Sequence, residues 1–268
     1  MSRKQLLAVA VVVSWAVGAV LPLTAADKPA APDKAAVDSA FDALKKFDWG
    51  GEMKVLRPLE DAVVFAQSDA AARKDLEARL VAVAKDSPRG AKDFALRQLS
   101  LIATADSVPA MAALLADKEL SHMARYVLER VPGPEGVGAM RDALAKLGGR
   151  QQVGVIVSLG ARRDVASVSA LTALLANADL DVAAAAAKSL GTIGTPEAVT
   201  AVSGLVKTGP EKIRPVVADA CLAGAERLLA AGKSAEALAV YKSLIGPEQP
   251  KPVRVAATKG MVAATGKK

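Results

Sequence analysis

Residues 179–206 read DLDVAAAAAKSLGTIGTPEAVTAVSGLV, and the spacing of their apolar side chains predicts two α-helices joined by a short turn. In the first half, apolar residues recur every three or four positions, as on one face of a helix. These are Val182, Ala186, Leu190 and Ile193. At the turn, Gly194 can adopt the left-handed conformation that ends a helix, and Thr195 can cap the next helix. Pro196 then suits the first helical position.

The same two-helix pattern recurs along residues 91–207 at intervals of about 30 residues. Four leucines align at offsets of 29, 31 and 31 residues: Leu99, Leu128, Leu159 and Leu190. Apolar residues fill four further columns, and the exception is Arg162 in the third unit. Asp106 and Asp164 occupy the capping position of Thr195 in the first and third units. A period that holds over several columns indicates an array of repeats, each packed against its neighbour.

These units resemble the short HEAT repeats of about 30 residues, the subclass also called phycobilisome-lyase-like. The resemblance implies an all-α fold, a right-handed α-solenoid of stacked antiparallel helix pairs of the HEAT or armadillo kind. The second unit departs from the pattern at its turn, Pro132-Gly133-Pro134. Residues 228–246, LLAAGKSAEALAVYKSLIG, are similar to a tetratricopeptide helix pair.

The remaining segments differ from the repeats in composition. Residues 1–26 have the pattern of a signal peptide, because Arg3 and Lys4 precede an apolar run that ends in small residues. We therefore expect an exported protein, periplasmic or extracellular, with an uncleaved N-terminal anchor as the alternative. No membrane span is expected after cleavage. The predicted divisions are a signal peptide (1–26), a flexible leader (27–36), an N-terminal helical cap (37–90), four HEAT-type repeats (91–207), and a longer helix pair with a final uncovered helix (208–268).

Composition excludes several kinds of chemistry. The chain has one histidine and one cysteine, too few for a zinc site built from these ligands. It lacks the phosphate-binding and nucleophile motifs of common enzymes. Its net charge of +7 is spread among acidic residues without long basic runs, so no nucleic-acid partner is expected. We expect no enzyme activity, no cofactor and no metal. Cys221 lies among apolar residues and is interpreted as a buried small side chain.

Five residues stand out as possible partner contacts: His122, Arg125, Tyr126, Arg162 and Arg163. The first three fall in one polar and aromatic cluster within an alanine-rich array. The alternative is structural: Tyr126 packs between repeats with Met123, and Arg125 pairs with a neighbouring acid. Arg162 could bind an anion, or it could pair with Asp164 or with the next repeat.

A repeat array without a catalytic constellation favours a binding function. We predict an exported, non-catalytic scaffold or adaptor that binds another protein. An accessory or regulatory subunit of an exported enzyme is the alternative, and a bilin-lyase-like protein is a further one, implied by the family resemblance. The final helix, 252–264, has no second helix to cover it and could mediate self-association.

Overall fold

The structure is a computed structural model that describes residues 29–266. Within that range the backbone forms fifteen α-helices and several short 3-10 helices, and no strand. The all-α prediction is therefore confirmed. The predicted signal peptide lies outside the described residues. None of the described helices is both long and apolar enough to cross a membrane.

Three helices form the N-terminal part: α1 (Lys34–Leu44), α2 (Arg57–Ala66) and α3 (Ala70–Lys85). Helix α1 begins inside the segment predicted as a leader, because the carboxylate of Asp33 caps it by accepting from the Ala35 amide. Helix α3 joins this part to the repeats through the buried carboxylate of Glu77. That carboxylate accepts hydrogen bonds from the Thr104 amide at 2.7 Å and from the hydroxyls of Thr104 and Ser107.

The rest of the described chain consists of helix pairs. The first helices of the pairs are α4 (Arg89–Ile102), α6 (Ser121–Leu128), α8 (Gly149–Ala161), α10 (Leu180–Ile193) and α13 (Arg214–Ala230). The second helices are α5 (Val108–Ala113), α7 (Glu135–Leu144), α9 (Val168–Leu174), α11 (Pro196–Ser203), extended by α12 (Leu205–Thr208), and α14 (Ser234–Ser243). Each first helix packs on the first helices before and after it in the array, which makes the fold an α-solenoid. The array closes with α15 (Lys251–Ala264), which packs on α13 and α14 and leaves Val255 and Val262 nearly half exposed.

The predicted repeat register is reproduced in the core. The four aligned leucines, Leu99, Leu128, Leu159 and Leu190, are each completely buried. The turn of the fourth unit also forms as expected, since Gly194 has a φ of 72° and the Thr195 hydroxyl accepts from the Ala198 amide at 3.2 Å.

Two predicted caps were wrong. In the first unit the Thr104 hydroxyl caps the turn by accepting from the Asp106 amide, because Thr104 is the residue with extended backbone. In the third unit Asp164 holds the capping position without making a capping bond. Its carboxylate instead accepts from the Arg141 guanidinium at 2.6 Å.

The first-helix layer is tightly packed. A Cβ placed on Gly191 would lie 2.8 Å from the Ala220 Cα, and one on Gly160 would lie 2.9 Å from the Ser189 Cα. Small residues therefore let successive first helices approach closely. The second helices are separated by shallow grooves, such as the one between α9 and α11.

Candidate functional site

A shallow groove lies between α4 and α6. Its volume is about 480 Å³. Its lining residues are Arg97, His122, Met123, Arg125, Tyr126 and Glu129. Three of the five predicted contact residues line this groove, and three of its six lining residues, Arg97, Arg125 and Glu129, are charged.

Arg125, one of the groove residues, connects α6 to α8. Its Nη1 atom donates to the carbonyl of Gly154 at 3.1 Å and to the hydroxyl of Ser158 at 3.0 Å. The prediction that Arg125 pairs with a neighbouring acid was therefore wrong. Burial lowers the pKa of its guanidinium, an effect that the charge of Glu129 opposes. A Cβ atom at position 154 would lie 2.6 Å from the guanidinium carbon of Arg125. Glycine at this position of α8 therefore leaves room for the arginine side chain.

Tyr126 is presented to solvent. Its side chain is 42% exposed, so the alternative that it packs between repeats was wrong, whereas Met123 does pack against the core. The Arg130 guanidinium lies 3.4 Å from the centroid of the tyrosine ring and donates to the Tyr126 carbonyl at 3.0 Å. This cation–π contact holds both side chains in a defined arrangement on the surface.

Arg162 contacts the backbone of the preceding repeat. Its guanidinium donates to the carbonyls of Glu129 at 2.6 Å, of Val131 at 3.2 Å and of Gly133 at 3.2 Å. Those carbonyls follow the end of α6, where no helical backbone amide is available to donate to them. Arg162 thus pairs neither with Asp164 nor with the next repeat, and both of those alternatives were wrong.

Arg163 is exposed at the end of α8. It is the one described residue other than glycine with a positive φ, 51°. It takes the helix-ending conformation that Gly194 takes one repeat later, and its side chain extends into solvent. Arg163 is therefore the only member of the Arg162–Arg163 pair that remains available to a partner.

Further exposed side chains continue the groove along neighbouring first helices. Tyr126 has equivalents in Arg97 on α4 and Val157 on α8, each two positions before an aligned leucine. Leu101 is 57% exposed and Val157 45% exposed. We call this set the first-helix face: Arg97, Leu101, His122, Tyr126, Arg130 and Val157. Sequence reasoning missed four of the six. The column two positions before each aligned leucine could have indicated Arg97 and Val157, and the column two positions after it could have indicated Leu101 and Arg130.

The described residues provide neither a metal-binding cluster nor an exposed cysteine. Residues 29–266 contain no group of three or more histidine, cysteine, aspartate or glutamate side chains that could hold a metal ion. Cys221 is buried in α13, and burial raises the pKa of its thiol from 9.0 to about 11. It therefore remains a protonated thiol far above neutral pH.

Comparison with known proteins identifies the repeats. Residues 150–223 match the family model of HEAT repeats. The match covers the third and fourth units and the first part of α13. Residues 150–223 therefore contain HEAT repeats, and the described chain folds as an α-solenoid. HEAT repeats are generally non-catalytic and form helical scaffolds for protein interaction. No curated protein sequence matches the chain.

Two solved structures resemble the fold. Lipovitellin, in a structure of its lipid–protein interactions, is 12% identical with a TM-score of 0.56. The match covers 86% of this chain, which spans 27% of the lipovitellin chain. The complex of CpcE and CpcF of phycocyanin lyase from Nostoc sp. PCC7120 is 18% identical with a TM-score of 0.39, covering 84% of this chain and 93% of that chain. The first likeness concerns the fold alone.

Proposed function

We propose that this chain is an exported, non-catalytic scaffold that binds another protein through the first-helix face. The observation that carries the proposal is the exposure of Tyr126 beside Arg97 and Arg130 on first helices that pack on each other. Tyrosine and arginine are enriched among the residues that dominate binding energy at protein interfaces. A surface that is already ordered also loses little conformational entropy on binding.

Hydrogen bonds between α6 and α8 support the same proposal. Arg125 joins α6 to α8, and Arg162 joins the end of α8 to the end of α6. These two contacts, made in opposite directions across one helix–helix boundary, fix the spacing between Tyr126 and Val157. A partner that spans several repeats requires such a fixed spacing.

Site-specific photo-crosslinking in the source cells tests the site. A photoreactive benzoylphenylalanine is placed at Tyr126, and a matched chain carries it at Ala173, an exposed position on the second helix α9. We expect a discrete protein adduct from position 126 and none from position 173. Equal adducts from both positions, or none from position 126, would contradict the proposed site. An adduct with a known exported enzyme would favour the accessory-subunit alternative.

Export is tested separately. Cell fractionation followed by N-terminal sequencing should recover a chain that begins near Asp27 in the periplasmic or extracellular fraction. A chain that keeps residues 1–26 and fractionates with membranes would favour the anchor alternative, and recovery in the cytoplasm would refute export.

A further inference from the structure

Within residues 89–178, the first helices and the segments that connect them differ in charge. In this span, the first helices together with the residues that end them occupy 89–102, 121–130 and 149–163. The first-helix segments hold eight basic residues against two acids. The remaining residues hold three basic residues against six acids. The first helices of these repeats are therefore strongly positive, and the segments that connect them are negative.

Part of this positive charge is used within the fold. Arg89 pairs with Asp93 at 3.1 Å and with Glu119 at 2.7 Å, while Arg125 and Arg162 bind groups of neighbouring repeats. By contrast, no carboxylate among the described residues lies within 4 Å of Arg97, Arg130 or Arg163. Of these three arginines, Arg97 and Arg130 belong to the first-helix face, and both are exposed.

Apolar surface lies among these unpaired cations. Leu101 is exposed on α4 with Arg97, Tyr126 is in contact with Arg130, and Val157 follows on α8. A nucleic acid would contact the cations through its phosphates but would gain little from exposed aliphatic side chains. A protein segment that carries carboxylates beside apolar side chains would complement both features.

We infer that the partner segment recognised by the first-helix face is acidic and apolar. Its carboxylates would pair with Arg97 and Arg130, and its apolar side chains would cover Leu101, Tyr126 and Val157. This inference rests on the proposed function, since it specifies the chemistry of the partner at the same face. Electrostatic attraction of this kind speeds association and makes binding sensitive to salt.

Selection from a displayed library of random dodecamer peptides tests the inference on the purified chain. The charge-reversed variant is Arg97→Glu with Arg130→Glu. Its control is Lys118→Glu with Lys146→Glu, which changes net charge equally at exposed positions outside the first helices. We expect the selected peptides to be enriched in Asp, Glu and large apolar residues. Their affinity should be about tenfold or more lower for the charge-reversed variant and little changed for the control. Added salt should weaken their binding to the unsubstituted chain.

The outcomes separate this inference from the proposed function. Peptides that lose binding on Tyr126→Ala, but are not acidic and bind the charge-reversed variant normally, would refute the inference and leave the binding site standing. Recovery of no peptide, or of peptides insensitive to every variant, would contradict both. If a 20-nucleotide single-stranded DNA of mixed sequence competes equally well with the peptides, the face recognises polyanions in general, and the inference of a protein segment is wrong.

Discussion

At the scale of single residues, Arg162 shows how a break in the repeat pattern can be structural. Its position is apolar in the neighbouring units, so the sequence marked it as unusual and suggested an anion site or an ion pair. Its partners are instead backbone carbonyls at the end of α6, 29 to 33 residues earlier. Backbone groups have no signature in a sequence, which is why this role could not be predicted.

Replacement of Arg162 by methionine restores an apolar column but should destabilise the fold. The carbonyls of Glu129, Val131 and Gly133 would lose a charged donor, at a cost of about 1–3 kcal/mol in the free energy of unfolding. Urea denaturation followed by circular dichroism measures this cost. The matched control is Arg163→Met, at an exposed neighbour, which should change stability by less than about 0.5 kcal/mol. Equal effects of the two substitutions would contradict the assigned role.

Cys221 should be chemically inert in the folded protein. Because burial raises its pKa from 9.0 to about 11, the reactive thiolate is scarce at pH 8. Reaction with Ellman's reagent at pH 8 should therefore be slow in buffer and rapid in denaturing urea. The unfolded chain ionises first as pH rises, so the stability that this thiol contributes is complete below pH 9 and is lost between pH 9 and about 11. Complete labelling within seconds in buffer would contradict burial.

At the scale of helices, the sequence predicted what depends on local periodicity. The apolar columns, the Gly194 turn and the Thr195 cap follow from neighbouring residues, and all appear in the structure. Features that depend on contacts between repeats escaped prediction. The first-helix face is an example: His122 and Tyr126 were identified as neighbours in sequence, whereas Arg97 and Val157 join them only because first helices stack.

Gly191 should tolerate alanine poorly although it lies inside helix α10. Replacing glycine by alanine in a helix normally stabilises by about 0.5–1 kcal/mol. At Gly191 the new methyl group would meet the backbone of Ala220, so we expect a net loss of about 1–3 kcal/mol from overpacking. Thermal denaturation of Gly191→Ala measures it. Gly204→Ala is the control, since its nearest contact would be 3.4 Å and stability should stay equal or rise.

At the scale of the whole molecule, the two helix layers have different roles. The first-helix layer is tightly packed, carries the interlocking contacts of Arg125 and Arg162, and presents the proposed binding face. The second helices are separated by shallow grooves, and the acidic residues of positions 89–178 lie mostly in the segments between the first helices. Because each unit contacts mainly its neighbours, stability propagates along the array from unit to unit. A substitution that unfolds one unit should therefore leave distant units of the array folded.

Leu190→Asp tests that expectation. Leu190 is fully buried in α10, which packs on both α8 and α13, so the substitution buries an unpaired charge between two helices. We expect a loss of more than about 4 kcal/mol in that region. Hydrogen exchange should show fast amides from α8 to α13, while α3 and α4 retain slow amides because the Glu77 contacts lie far along the array. Lys188→Asp, exposed on the same helix, is the control and should keep native protection throughout. Native protection in Leu190→Asp would mean that the repeat register is wrong, and loss of protection everywhere would mean that the array unfolds as one unit.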